Sequence, residues 1–195
     1  MSTKKPTIAP AEGKLGVLTV GLGAVASTLI AGVELAKRGL GAPIGSLTQM
    51  DTIRLGKRTD NRNPMIKDFV PLARLEDIVW GAWDPFPDDA YVAATRAGVL
   101  ESGKHLEAIS DTLREIRPMK AAFERNYVKN IDADNIMGKI SKREMLNAIR
   151  ADINKFKDEK KVDRLVMIWC ASTEIFIEPG PQHQNLEAFE KAIDA

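Results

Sequence analysis

The chain has 195 residues, 44% hydrophobic and 28% charged, which is enough apolar material for one sizeable core and excludes a disordered polypeptide. Lys and Arg number 28 against 27 Asp and Glu, and the resulting net charge of +1 offers no basic footprint for nucleic acid. A single cysteine, Cys170, excludes an internal disulfide and points to a reducing compartment, and with the distant His105 and His183 it gives no spacing for a zinc cluster.

Residues 1 to 13 are polar with two prolines and are expected to form a loose N-terminal arm. The window from Leu15 to Val33 is uncharged, follows Lys4, Lys5 and Lys14, and contains Ala24-Val25-Ala26, which looks like a cleavage site; an export or anchor segment is therefore one reading. Gly16, Gly21, Gly23 and Gly32, with Thr19, Ser27 and Thr28, dilute that window, and its pattern changes midway. Leu15 to Val20 favours a strand. Val25 to Gly39 reads as a helix with Leu29, Val33 and Ala36 on one stripe and Lys37-Arg38-Gly39 as its stop.

Between strand and helix lies Gly21-Leu22-Gly23-Ala24-Val25-Ala26, a G-x-G-x-x-A turn. In a dinucleotide-binding unit the first glycine allows the tight turn, the second lets the backbone approach a pyrophosphate, and the small third residue lets the helix pack on the sheet. The helix N-terminus adds unpaired N–H groups, and Ser27 a hydroxyl. A purely structural turn stays open on these residues alone.

Such a unit needs a carboxylate at the tip of its second strand for the adenosine ribose. Asp51 has the usual separation but sits in an irregular polar stretch. Ile78 to Trp83 reads as a buried strand ending at Asp84, before Pro85 and Pro87, so Asp84 is the better candidate, with a helix N-cap or turn role as the alternative. That choice makes residues 41 to 75 a long insertion after the first helix, and loops of that length tend to be functional.

Asp88 and Asp89 can cap a helix from Ala90 to Leu100 that Gly103 ends, and a second helical segment from Leu106 to Ile116 stops before Pro118. Residues 119 to 138 read as irregular. Ser141 and Glu144 form a capping box for a helix with Met145, Ile149, Ile153 and Phe156 on its apolar face. Leu165 to Cys170 is an uninterrupted apolar run, expected as a strand covered on both faces, with Cys170 as a core thiol in place of a nucleophile. Ala171, Ser172 and Thr173 follow it and become site candidates by position. Pro179-Gly180-Pro181 makes a turn before a last helix, Asn185 to Ile193.

Four segments together resemble the inositol-3-phosphate synthases (myo-inositol-1-phosphate synthases): the glycine turn "GLGAVAST", "GSLTQMDTIRLG", the strand end "GAWDPF", and "IRADINKFKDEKKVDRLVMIWCASTEIF". Their order and spacing agree across about residues 15 to 194, and the resemblance accounts for the long insertion. It implies a Rossmann-type α/β fold: a doubly wound, mostly parallel sheet with helices on both faces, over residues 14 to 195. It also implies NAD as cofactor and the conversion of D-glucose 6-phosphate to 1D-myo-inositol 3-phosphate, by oxidation at C5, aldol closure and reduction with no net redox change. Carried over by motif, Gly21, Gly23, Ala24, Val25, Ala26 and Ser27 would hold the pyrophosphate and Asp84 the ribose, while Ala171, Ser172 and Thr173 would lie along the cofactor toward the nicotinamide.

The glycine turn is shorter than the family's eukaryotic version and lacks its asparagines. Family chains continue into a second half that carries the proton-transfer and phosphate-binding residues and most of the oligomer interface. No catalytic acid or base is therefore assigned within these 195 residues. The expectation is a cytoplasmic NAD-binding part without turnover of its own, self-associating through surface meant to be covered, with no nucleic-acid, membrane or metal partner. A free-standing NAD sensor is one alternative, and a small dehydrogenase using Lys120, Tyr127 or Lys129 is another.

Overall fold

The computed structural model describes residues 11–195, so most of the expected N-terminal arm lies outside the described residues. Where the description begins, the chain is already attached: Glu12 and Gly13 accept hydrogen bonds from the Arg164 side chain, and the Lys14 N–H donates to Asp163.

The apolar run expected as the first strand is β1 (Leu15–Val20), and the glycine turn leads into α1 (Ala24–Lys37). Two short helices, α2 (Leu47–Met50) and α3 (Ile66–Phe69), interrupt the long connection to β2 (Ile78–Asp84). Within it, Thr52 and Met65 bridge antiparallel, so the inserted segment folds back on itself. α4 (Ala90–Ala97) follows, then a π-helical turn, α5 (Ser110–Glu115) and the two-residue β3 (Met119–Lys120). α6 (Lys142–Lys160), β4 (Arg164–Trp169) and α7 (Leu186–Asp194) complete the order.

The strands form one parallel sheet in the order β3-β2-β1-β4. β1 is central, with Leu15 to Val20 matched residue for residue against Ile78 to Trp83 on one side and Arg164 to Trp169 on the other. Side chains alternate across it. Val17 joins Trp80, Ala82 and the buried residues of α1, α4 and α5 on one face; Leu18 joins Trp83, Phe156 of α6 and Val162 on the other. This is the expected α/β fold with helices on both faces.

Several local readings change. The buried stripe of α1 is Ala26, Ile30, Ala31, Glu34 and Leu35, while Leu29 is exposed, because the sheet meets the helix one position away from the predicted stripe. Glu34 is buried yet satisfied, accepting from Trp80 Nε1 at 2.7 Å and from Lys37 Nζ at 2.6 Å, which ties α1 to β2. Gly98, at φ +65°, ends α4 ahead of Gly103. β4 is not covered on both faces: Val166, Met167 and Trp169 are 46%, 45% and 67% exposed, and it is an edge strand that pairs only with β1 among the described residues. An apolar run has no period to distinguish a central strand from an edge strand. The capping box of α6 is as expected, with Ser141 N–H donating to Glu144 Oε2 at 2.8 Å and Glu144 N–H to Ser141 Oγ at 3.2 Å.

α6 approaches the sheet closely because two glycines face Phe156. A Cβ at Gly81 would fall 2.6 Å from Leu18 Cδ2 and 2.9 Å from Phe156, and one at Gly16 2.7 Å from Phe156. Gly81→Ala is therefore expected to destabilise the fold by about 1–3 kcal/mol through overpacking. Urea titration checks it, and an unchanged midpoint would show that α6 simply moves aside.

Candidate functional site

All three long strands end at one level, and the chain beyond each tip converges on one crevice at the carboxyl edge of the sheet. Gly21, Leu22, Gly23 and Ala24 line it from β1, Asp84 to Phe86 from β2, and Cys170 to Thr173 from β4; the cavity is about 300 Å³. α1 and α6 lie on opposite faces of the sheet, so the crevice opens where the connections part, the position at which open α/β sheets bind ligands. A second, largely apolar cavity of about 280 Å³ continues it past Gly21, Ala171 and Thr173 to Trp83, Phe123, Met167 and Trp169.

The two glycines of the turn serve different purposes. Gly21 has φ +96°, and a Cβ there would sit 3.1 Å from the Ala171 backbone nitrogen, so the protein itself requires glycine. Its N–H donates to the Trp83 carbonyl at 2.8 Å, continuing the β1–β2 ladder into the turn. Gly23 has an ordinary φ of −76°, and a Cβ on it would meet no protein atom within 4 Å. Nothing in the fold demands glycine at position 23; a group bound against the backbone would.

The helix end beside that gap suits an anion. The first bond of α1 runs from the Ser27 N–H to the Gly23 carbonyl at 3.0 Å, so Ala24, Val25 and Ala26 have no intrahelical acceptor for theirs. No side chain caps this end and no acidic residue stands in its first turn. The partial positive charge of the helix is thus left for a ligand.

Asp84 stands opposite, at the tip of β2. Its Oδ2 accepts from the Leu22 N–H at 2.5 Å and its Oδ1 from the Phe86 N–H at 2.9 Å, so one carboxylate locks the glycine turn to the second strand. Each oxygen retains a lone pair for a hydroxyl donor.

The crevice therefore assembles Gly21, Gly23, Ala24, Asp84, Ala171, Ser172 and Thr173 out of the candidates. It leaves out three. Ala26 is fully buried under α1, where its small size allows the close helix-to-sheet contact; Val25 is 68% exposed and does not line the cavity. Ser27 is fully buried with its hydroxyl donating to the Ala24 carbonyl at 3.4 Å, so it offers nothing to a ligand. Asp51, Lys120, Tyr127 and Lys129 line neither part of the crevice. Sequence reasoning missed Phe86, Asp88, Arg96 and Ile131. Arg96 pairs with Asp88 at 2.6 Å and lies 5.7 Å from the centre of the Phe86 ring, forming one wall. Asp88 was visible only as a helix cap, and Ile131 lay in a stretch without periodicity.

Among the described residues no three His, Cys, Asp or Glu side chains gather as a metal site, and no helix is long and apolar enough to cross a membrane. The residues of the export reading divide into β1 and α1.

Residues 15–195 match a family model for NAD binding described as Myo-inositol-1-phosphate synthase. The chain is 46% identical over 190 residues to inositol-3-phosphate synthase 1 of Bacteroides thetaiotaomicron, covering 97% of this chain and 43% of that protein. It is 31% identical over 176 residues to inositol-3-phosphate synthase 1 of Oryza sativa subsp. japonica, covering 83% and 34%. The crystal structure of inositol-3-phosphate synthase from Caenorhabditis elegans superposes with a TM-score of 0.79 at 27% identity, over 93% of this chain and 39% of that one. The chain thus spans less than half the length of these relatives.

Burial pushes the Cys170 thiol above its ordinary range. With less thiolate at any given pH, Cys170 is expected to alkylate more slowly than free cysteine at neutral pH, with a rate that climbs only at higher pH. The pH profile of iodoacetamide labelling checks this, and fast labelling at pH 7 would contradict it.

Proposed function

The chain belongs to the myo-inositol-1-phosphate synthase family, and on that premise we propose that it is the NAD-binding part of an inositol-3-phosphate synthase, an isomerase of D-glucose 6-phosphate. The observation that carries the reading is the open space at Gly23 beside an uncapped helix end, facing a carboxylate at the neighbouring strand tip. A dinucleotide fits that combination: its pyrophosphate needs close backbone approach and N–H donors, and its ribose needs an acceptor.

In this reading the amides of Ala24, Val25 and Ala26 and the gap at Gly23 hold the pyrophosphate. Asp84 keeps the turn in place and accepts from the adenosine ribose hydroxyls, and its charge disfavours a 2′-phosphate, so the site selects NAD over NADP. Ala171, Ser172 and Thr173 run from the shared crevice toward its apolar half, which Trp83, Met167 and Trp169 line. When bound, NAD supplies reversible hydride transfer, which lets a sugar carbon be oxidised and later reduced within one cycle. The groups that move protons and bind the substrate phosphate belong to the remainder of a family protein, as does the homo-oligomer interface. These residues alone bind NAD without turnover, in the cytoplasm.

Calorimetry with NAD tests the proposal. The wild-type chain is expected to bind saturably and Asp84→Ala to bind at least about tenfold more weakly. Gly23→Val separates function from folding, since its backbone angles suit any residue and its side chain meets no protein atom. It is expected to keep the circular dichroism and melting of the wild type while binding falls by a hundredfold or more, on the order of an excluded pyrophosphate contact. A folded wild-type chain that binds no NAD, or a Gly23→Val variant that binds normally, would overturn the reading.

A further inference from the structure

Taking Asp84 as the ribose carboxylate, we propose that Asn135 is a positioning residue of the cofactor site, setting the place of Asp84 by gripping the backbone where β2 and β3 end. The need for such a grip follows from the sheet. β3 has two residues and pairs with β2 only through Trp83↔Met119 and Asp84↔Lys120, so the ladder stops at the residue that carries the carboxylate. Beyond it Pro85 can donate no backbone hydrogen bond.

Asn135 supplies what the ladder lacks. It comes from the segment between β3 and α6, which has no helix or strand of its own. Its side-chain Nδ2 donates to the Asp84 carbonyl at 2.8 Å and to the Met119 carbonyl at 3.1 Å, bridging the two strand ends. Its backbone N–H donates to the Pro85 carbonyl at 3.0 Å, and its carbonyl accepts from the Ala121 N–H at 3.0 Å. A carboxamide has two N–H donors, and both are used, on the carbonyls of Asp84 and Met119.

With the Asp84 backbone held from one side, its carboxylate holds the glycine turn on the other through Leu22, while the Phe86 N–H fixes the carboxylate's orientation locally. Asn135, Asp84 and Leu22 form one chain of hydrogen bonds from the segment between β3 and α6 to the glycine turn. Aspartate at 135 would have no donors and would set a charge against two carbonyls, while glutamine would carry its amide too far out.

The role is distinguished from general support by its dependence on Asp84. Asn135→Ala is expected to weaken NAD binding about tenfold, of the order of one lost pair of partly buried hydrogen bonds. In an Asp84→Ala background the same substitution is expected to change residual affinity little, the signature of two residues acting as one unit. Equal losses in both backgrounds would overturn the proposal. Amide exchange followed by NMR needs no ligand: in Asn135→Ala the Leu22 and Phe86 amides should lose protection while those of Val17 to Thr19 keep theirs. Unchanged protection at Leu22 and Phe86 would overturn the proposal even where NAD binds. A wild-type chain that fails to bind NAD would instead remove the cofactor reading, and the exchange result would still decide whether Asn135 positions Asp84. Should Asn135→Ala not fold, Asn135→Ser, which keeps one donor on a shorter arm, carries the same comparisons.

Discussion

The site depends on three parallel strands ending in register. Val20, Trp83 and Trp169 are matched across β1, β2 and β4, so the residues that follow them arrive at one edge together although they lie more than 60 positions apart in the chain. Two backbone bonds carry the pairing past the strand ends, from Gly21 to the Trp83 carbonyl and from Cys170 to the Val20 carbonyl. A slip of one residue in either pairing would turn the alternating faces of the slipped strand over; a slip of β2 would separate Asp84 from the glycine turn, and one of β4 would displace Ala171 to Thr173.

Close packing holds that register. Ala26 and Ala31 bring α1 onto one face, and Gly16 and Gly81 make room for Phe156 of α6 on the other. On the α1 face the buried Glu34, with Lys37 and Trp80, adds a directional tie between helix and strand that apolar contacts alone would not give. Small residues at these points do for the sheet what Gly21 does for the turn: they remove atoms where two backbones must meet.

Demands on the crevice are divided among different residues. Gly21 and Ala26 are explained by the protein's own sterics, whereas Gly23 is not, and that difference is what points to a ligand. Asp84 serves both sides, since its bond to Leu22 holds the turn and its bond to Phe86 fixes the carboxylate, while the residue lines the crevice. A carboxylate held by two backbone amides is preorganised, so a hydroxyl ligand meets an acceptor already in place.

Much of this was legible in the chain. Leu15–Val20 and Ile78–Asp84, the glycine turn, the Ser141–Glu144 capping box and Asp84 at a strand tip were readable because each rests on local chemistry: β-branched and apolar runs, turn residues, and a side chain three positions from its own amide. The strand-tip positions of Gly21, Asp84 and Ala171 to Thr173 were legible as well, but what depended on how distant elements pack was not. The exposure of β4 reflects how little of the described chain packs over its faces, and the burial of Ser27 and of the α1 stripe follows from the way helix meets sheet. β3 and Asn135 lie in a segment without periodicity, whose bonds go to residues 16 and 51 positions earlier. The sequence by itself determined the elements and the chemical groups available, because propensity, capping and turn chemistry act over a few residues. Only the tertiary structure decided which candidates drop out of the crevice, which residues join it and which faces stay covered, because strand pairing and close packing join parts of the chain that carry no mark of one another.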